Sequence, residues 1–108
     1  MTLILDITPA NIQKAAAFLK NGGLVAMPTE TVYGLAADAT DDHAVADIFA
    51  VKGRPSFNPI IVHFANKKDA EEEVEFNPKA SLLASIFWPG PLTMILPRKI
   101  GASVSLLC

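Results

Sequence analysis

The segment Pro28-Thr29-Glu30-Thr31-Val32-Tyr33-Gly34-Leu35 carries three hydroxyl side chains at alternate positions. If it stays extended, Thr29, Thr31 and Tyr33 share one face, because successive side chains of an extended chain point to opposite sides. Such a row can hydrogen-bond a small polar substrate, or it can satisfy the backbone of a turn, and spacing alone leaves both open. A second group is Lys52-Gly53-Arg54-Pro55-Ser56-Phe57-Asn58-Pro59. Lys52 and Arg54 are two apart and can point the same way once a helix unwinds at Gly53. Two converging cations suit a triphosphate, since Arg grips phosphate oxygens bidentately while Lys acts as a compact charge. The competing reading is a lysine at a helix end and an arginine in a surface ion pair. The glycine-rich phosphate loop Gly-x-x-x-x-Gly-Lys-Ser/Thr is absent.

His63 interrupts the apolar run Ile60-Ile61-Val62-His63-Phe64, either as a satisfied core residue or as a ligand contact. His43 lies among aspartates and reads as solvated. Two histidines without a cysteine pair give a zinc site little support. Trp88 and its flanking prolines read as a packed corner, and Glu71-Glu72-Glu73 as a solvated helix face.

The elements that must position these groups follow from periodicity and punctuation. Thr8-Pro9 offers a hydroxyl cap followed by proline in the first turn. Ile12, Ala15, Ala16, Phe18 and Leu19 then recur at helical spacing, and Asn21-Gly22-Gly23 ends the helix. Leu24 to Met27 reads as a strand buried on both faces, closed by Pro28. A second helix is expected from Asp42 to Lys52, its aspartates and lysine suiting the helix dipole. Ile60 to Phe64 reads as a strand, Lys68 to Glu73 and Lys79 to Ile86 as helices, the latter with Leu82, Leu83 and Ile86 inward. Trp88-Pro89-Gly90-Pro91 must turn, after which Leu92 to Leu96 reads as a strand. Strands alternating with helices imply an α/β domain with a mixed sheet.

The 108 residues fit one domain, spanning 1–108. With 51% hydrophobic and 19% charged residues the chain reads as globular and soluble, not disordered. A net charge of -2 supplies no overall positive field, so any contact with RNA or nucleotide must come from a local patch. The single cysteine, Cys108, forms neither an intrachain disulfide nor a cysteine metal cluster. The absence of a secretory signal pattern and of an apolar stretch of about 20 residues makes the cytoplasm the expected location, with no membrane.

Taken together, Pro28-Thr29-Glu30-Thr31-Val32-Tyr33-Gly34-Leu35, Lys52-Gly53-Arg54-Pro55, Asn58-Pro59-Ile60-Ile61-Val62-His63 and Phe87-Trp88-Pro89-Gly90-Pro91-Leu92-Thr93 resemble, in order and spacing, the Sua5/YciO/YrdC family. The resemblance runs from about Ala10 to Pro97 and implies an α/β fold, a twisted mixed sheet flanked by helices, incomplete at the carboxyl end. It implies a nucleotidyltransferase that makes threonylcarbamoyl-adenylate and pyrophosphate from L-threonine, bicarbonate and ATP, for a threonylcarbamoyl transferase acting on tRNA. Lys52 and Arg54 match the Lys-x-Arg signature and are implied to be catalytic and ATP-binding, with Ser56 and Asn58 at the nucleotide mouth. Thr29, Thr31, Tyr33 and His63 match the threonine side. ATP is implied as a substrate, with Mg²⁺ arriving on its triphosphate. Family domains also carry a downstream Ser-x-Asn element, absent from this sequence, so an inactive truncated fragment is a further expectation. The same family implies, as an alternative, a double-stranded RNA surface drawing on Lys52, Arg54, Lys67, Lys68, Arg98 and Lys99.

Overall fold

The computed structural model describes residues 2–55 and 58–108. In chain order the elements are helix α1 (Pro9–Lys20), strands β1 (Val25–Met27) and β2 (Gly34–Ala36), and helices α2 (Asp42–Lys52), α3 (Lys67–Glu73) and α4 (Pro78–Phe87). Each helix starts where a polar side chain can accept from its first free N–H groups. Thr8 accepts from the Asn11 amide at 3.2 Å, and Asp41 from those of His43 and Ala44 at 3.0 and 3.1 Å. Asn66 accepts from Asp69 at 2.9 Å and Asn77 from Ala80 at 2.7 Å. The helices therefore lie within one residue of where the sequence places them.

After α1 the chain folds back tightly. A Cβ at Gly23 would stand 2.2 Å from the Phe18 ring, so no larger residue fits this approach to β1. Strand β1 then pairs antiparallel with β2 in the register Val25↔Ala36, Ala26↔Leu35 and Met27↔Gly34, which leaves residues 28–33 as the hairpin loop.

The buried core is small and centres on α2. Ala44, Val45, Ile48 and Phe49 fall on one face at helical spacing and are buried, together with Ala70 of α3 and Ala80 and Ala84 of α4. Helix α2 closes at Gly53, whose φ of 62° is left-handed. The Gly53 amide donates to Ala50 at 3.3 Å and the Arg54 amide to Phe49 at 2.9 Å, which satisfies two carbonyls at the helix end. No atom lies within 4 Å of a Cβ built at Gly53, so the demand for glycine there is conformational alone.

The carboxyl-terminal segment is clasped to α3. Val74 bridges Arg98, the Lys99 amide donates to the Glu73 carbonyl at 2.9 Å and the Glu75 amide to Pro97 at 2.8 Å. The Glu73 carboxylate accepts from the Ser103 hydroxyl and, at 3.0 Å, from the Val104 amide. The Ser103 hydroxyl bond, followed by the Val104 amide, holds this carboxyl below the ordinary glutamate range. Ser105 is buried, its amide 2.7 Å from the Ala39 carbonyl just ahead of α2. The corner at Trp88 is packed as expected: its indole N–H donates to Leu92 at 2.8 Å, and its ring meets Phe76 edge-on at 6.1 Å.

Four helices with a two-stranded antiparallel sheet make an α/β fold. The strands expected at 60–64 and 92–96 have no ladder partner among the described residues. The second of these nevertheless alternates in burial, with Leu92, Met94 and Leu96 half-buried and Thr93 and Ile95 exposed, as an extended strand does. Strand β1 is not buried on both faces: Val25 is half-buried and Ala26 and Met27 are exposed, because no helix layer covers them. Leu82, Leu83 and Ile86 of α4 likewise point outward, and the small Ala80 and Ala84 take the buried face. The chain exposes 8289 Å² in all, against about 5,800 Å² for a compact domain of its mass.

Gly53→Ala should lower stability by about 1 kcal/mol, since a side chain is disfavoured at this φ, and denaturant midpoints at unchanged slope will show it. Because the Glu73 carboxyl is lowered in the folded state, its contribution is full above the ordinary glutamate pKa of about 4.3. That contribution is lost as pH falls through the lowered folded value. Glu73→Gln should flatten this acid limb of stability against pH, and an unchanged limb would contradict the clasp.

Candidate functional site

The residues singled out for chemistry lie in two segments, the β1–β2 hairpin loop and the chain leaving α2. In the loop the chain does not stay extended between Thr29 and Tyr33: it bends at residues 30–32, so alternation is not what gathers the hydroxyls. The turn does it instead. Thr29 Oγ1 accepts from the amides of Thr31 and Val32, each at 3.2 Å, and donates to the Val32 carbonyl. Thr31 Oγ1 comes within 3.4 Å of Thr29 Oγ1, and Tyr33 projects into solvent with 73% of its surface exposed. The turn reading is thus realised at Thr29, while Thr31 and Tyr33 remain exposed.

At the end of α2, Lys52 is the last helical residue, where its charge suits the negative end of the helix. The left-handed Gly53 follows, and Arg54 is half-buried with Nη2 3.4 Å from the Pro59 carbonyl. That contact is long, and a guanidinium has five N–H groups, so most of its donor capacity has no partner among the described residues. The ion pair among the described residues is Lys67 with Glu71 at 3.0 Å, which leaves neither Lys52 nor Arg54 neutralised by a carboxylate there. A helix carboxyl end carries roughly half a negative charge and repels an anion. Against that partial charge one cation leaves about half a unit of positive charge, and two leave about one and a half.

Asn58 is half-buried, and its amide donates to the Pro55 carbonyl at 3.2 Å. His63 is exposed, not a core residue, with Nδ1 3.3 Å from the Ile61 carbonyl. Ser56 lies outside the described residues. No hydrogen bond or ion pair among the described residues joins the 28–33 loop to the Lys52–Asn58 segment. Two cavities, of about 270 and 480 Å³, lie elsewhere, lined by Phe87, Pro91 and Leu92 and by Glu71, Val74, Phe76 and Lys99 among others. No group of three or more His, Cys, Asp or Glu side chains gathers as metal ligands among the described residues. Among the described residues no helix is long and apolar enough to cross a membrane.

The sequence reading offered a backbone-satisfying turn as one alternative; what it missed is which hydroxyl makes it, Thr29, which engages the amides two and three residues on.

The chain matches the Sua5/YciO/YrdC family, described as telomere recombination, over residues 17–107. It is 48% identical over 103 residues to the threonylcarbamoyl-AMP synthase of Pyrococcus abyssi, covering 91% of this chain and 30% of that protein. It is 49% identical over 99 residues to the threonylcarbamoyl-AMP synthase of Bacillus subtilis, covering 91% of this chain and 29% of that one. Among solved structures, that of P. abyssi Sua5 complexed with L-threonine superposes with a TM-score of 0.85 at 46% identity, over 95% of this chain and 30% of that chain. The chain thus spans about 30% of the length of these relatives. A family match over most of the sequence, carried into three dimensions by a shared fold, makes the chain a member of the Sua5/YciO/YrdC family.

Proposed function

We propose that this chain supplies the threonine-side loop and the phosphate-side cations of a threonylcarbamoyl-AMP synthase. The observation that carries the reading is a likeness to a relative bound to L-threonine that runs through the segments described above. Lys52 and Arg54, without a carboxylate partner among the described residues, and the exposed hydroxyls of Thr31 and Tyr33 would supply the chemistry it requires.

In this reading the amino group of L-threonine takes up bicarbonate with loss of water and gives a carbamate. A carbamate oxygen then attacks the α-phosphorus of ATP, the bond to the β,γ-unit breaks, and pyrophosphate leaves with the electron pair. No covalent bond to the protein is needed. Catalysis rests on holding an unstable carbamate in line with the phosphorus and on neutralising the charge that builds on phosphoryl oxygens. Arg54 would grip two of those oxygens with its planar fork, and Lys52 would supply a compact charge beside it. Asn58 and Ser56 would border the nucleotide, with Mg²⁺ carried by the triphosphate. Thr31, Tyr33 and His63 would meet the amino acid, the hydroxyls pairing with its polar groups. A cytoplasmic setting and a transferase that passes the product to tRNA complete the reading.

L-threonine at about 100 times its Kd should raise stability by about 2.7 kcal/mol, seen as an upward shift in Tm; an unmoved transition with threonine and ATP together contradicts the reading. In a preparation that forms pyrophosphate from ATP, threonine and bicarbonate, Arg54→Ala should lower kcat/KM by about 100-fold or more, the scale of losing a charge-stabilising group. Arg54→Lys should recover only part of it, since lysine cannot make the forked contact. A variant retaining full rate would remove Arg54 from the reaction.

A further inference from the structure

A threonine hydroxyl has one hydrogen to donate and two lone pairs with which to accept. The hairpin loop uses all three at Thr29. Its hydrogen goes to the Val32 carbonyl, and its lone pairs take the amides of Thr31 and Val32, each at 3.2 Å. Thr31 Oγ1, 3.4 Å away, is too distant for an ordinary hydroxyl–hydroxyl bond and has no closer partner among the described residues. The Thr29 side chain also spans the loop by its other branch. A Cβ at Gly34, the first residue of β2, would stand 3.5 Å from Thr29 Cγ2, so the methyl lies against the far end of the same loop.

We infer that Thr29 is a positioning residue: its hydroxyl pins the 29–32 turn and so holds Thr31, which the reading above already places against the amino acid. The inference rests on the threonine-side reading above and divides the labour within it. The two threonines, equivalent in a motif, are unequal in the fold: one is saturated by its own backbone and one is open. With the turn pinned, the Thr31 hydroxyl is held before a ligand arrives, and less ordering remains to be done on binding.

Two substitutions separate the branches of Thr29. Thr29→Val keeps the methyl group and removes the hydroxyl, whereas Thr29→Ser keeps the hydroxyl and removes the methyl. The measurements are amide hydrogen exchange at Thr31 and Val32 in the full 108-residue chain, and L-threonine affinity by titration. Thr29→Val should speed exchange at both amides about five- to tenfold and weaken L-threonine by a similar factor, the scale of lost intramolecular hydrogen bonds. Thr29→Ser should restore both to within about twofold, and Thr31→Val should weaken L-threonine by about tenfold or more while Val32 exchange stays within about twofold. Weakened binding with unchanged exchange in Thr29→Val would put Thr29 itself on the ligand and overturn the inference. So would a loosened turn with unchanged affinity, or a Thr31→Val chain that binds as the parent does. A parent chain that binds no L-threonine overturns the functional reading and, with it, the role given to Thr31, while the exchange rates still decide whether Thr29 pins the turn.

Discussion

At Gly53 the backbone enters the left-handed region, φ 62°, and one residue's conformation thereby joins the buried part of the molecule to its charged part. Upstream, the carbonyls of Phe49 and Ala50 receive the amides of Arg54 and Gly53, so the last turn of α2 is finished without borrowing side chains. Phe49 is itself buried, on the same face as Ala44, Val45 and Ile48. Downstream, the reversal frees Arg54 from the helix while Lys52 remains its last residue. The core stripe and the cation pair are set by the same helix, one by its face and the other by its end. With Asp41 accepting two amides at the opposite end, α2 is the element whose termini and face are all accounted for.

Electrostatics then asks more of these cations than of isolated surface charges. They sit where the helix dipole is negative, so part of their charge is offset there, and a polyanion is attracted more strongly by both than by one. Elsewhere in the chain charge is used structurally. Lys67 pairs with Glu71 and lies over the Phe76 ring, and Glu73 is occupied by Ser103 and Val104. Asp38 is occupied by the hydroxyl and amide of Thr40, which hold its carboxyl below the ordinary range. Among the described residues neither Lys52 nor Arg54 has a carboxylate partner. The hairpin loop shows the same economy in neutral form, with the Thr29 hydroxyl consumed by the turn and that of Thr31 left over.

The helices were legible because their signals are local. Thr8, Asp41, Asn66 and Asn77 cap within three residues of themselves, and Gly53 ends α2 where the sequence places the break. Strands were legible only as extended runs. Whether 60–64 or 92–96 joins a ladder depends on a partner far away in sequence, and alternation along a run does not reveal one. The expectation that Leu82, Leu83 and Ile86 face inward assumed that something covers α4, and large side chains stay out where nothing does. In the site, the approach of Thr29 to Thr31 was expected from alternation along an extended segment that also gathered Tyr33, with a backbone-satisfying turn as the alternative. The side-chain-to-backbone turn produced it, and only the structure ranks the two hydroxyls. Strand β2 went unread because Gly34-Leu35-Ala36 has no β-branched residue to announce it.

The central claim is that the carboxyl end of α2 meets a nucleotide's phosphates while the hairpin loop meets an amino acid. Backbone-amide shift mapping of the whole chain, titrated first with ATP and Mg²⁺ and then with L-threonine, tests it most directly. The account predicts that ATP moves the resonances of Lys52, Gly53, Arg54 and Asn58, and that L-threonine moves those of Thr31, Val32 and Tyr33. Shifts confined to other segments, or the same residues answering to both ligands without distinction, would contradict it.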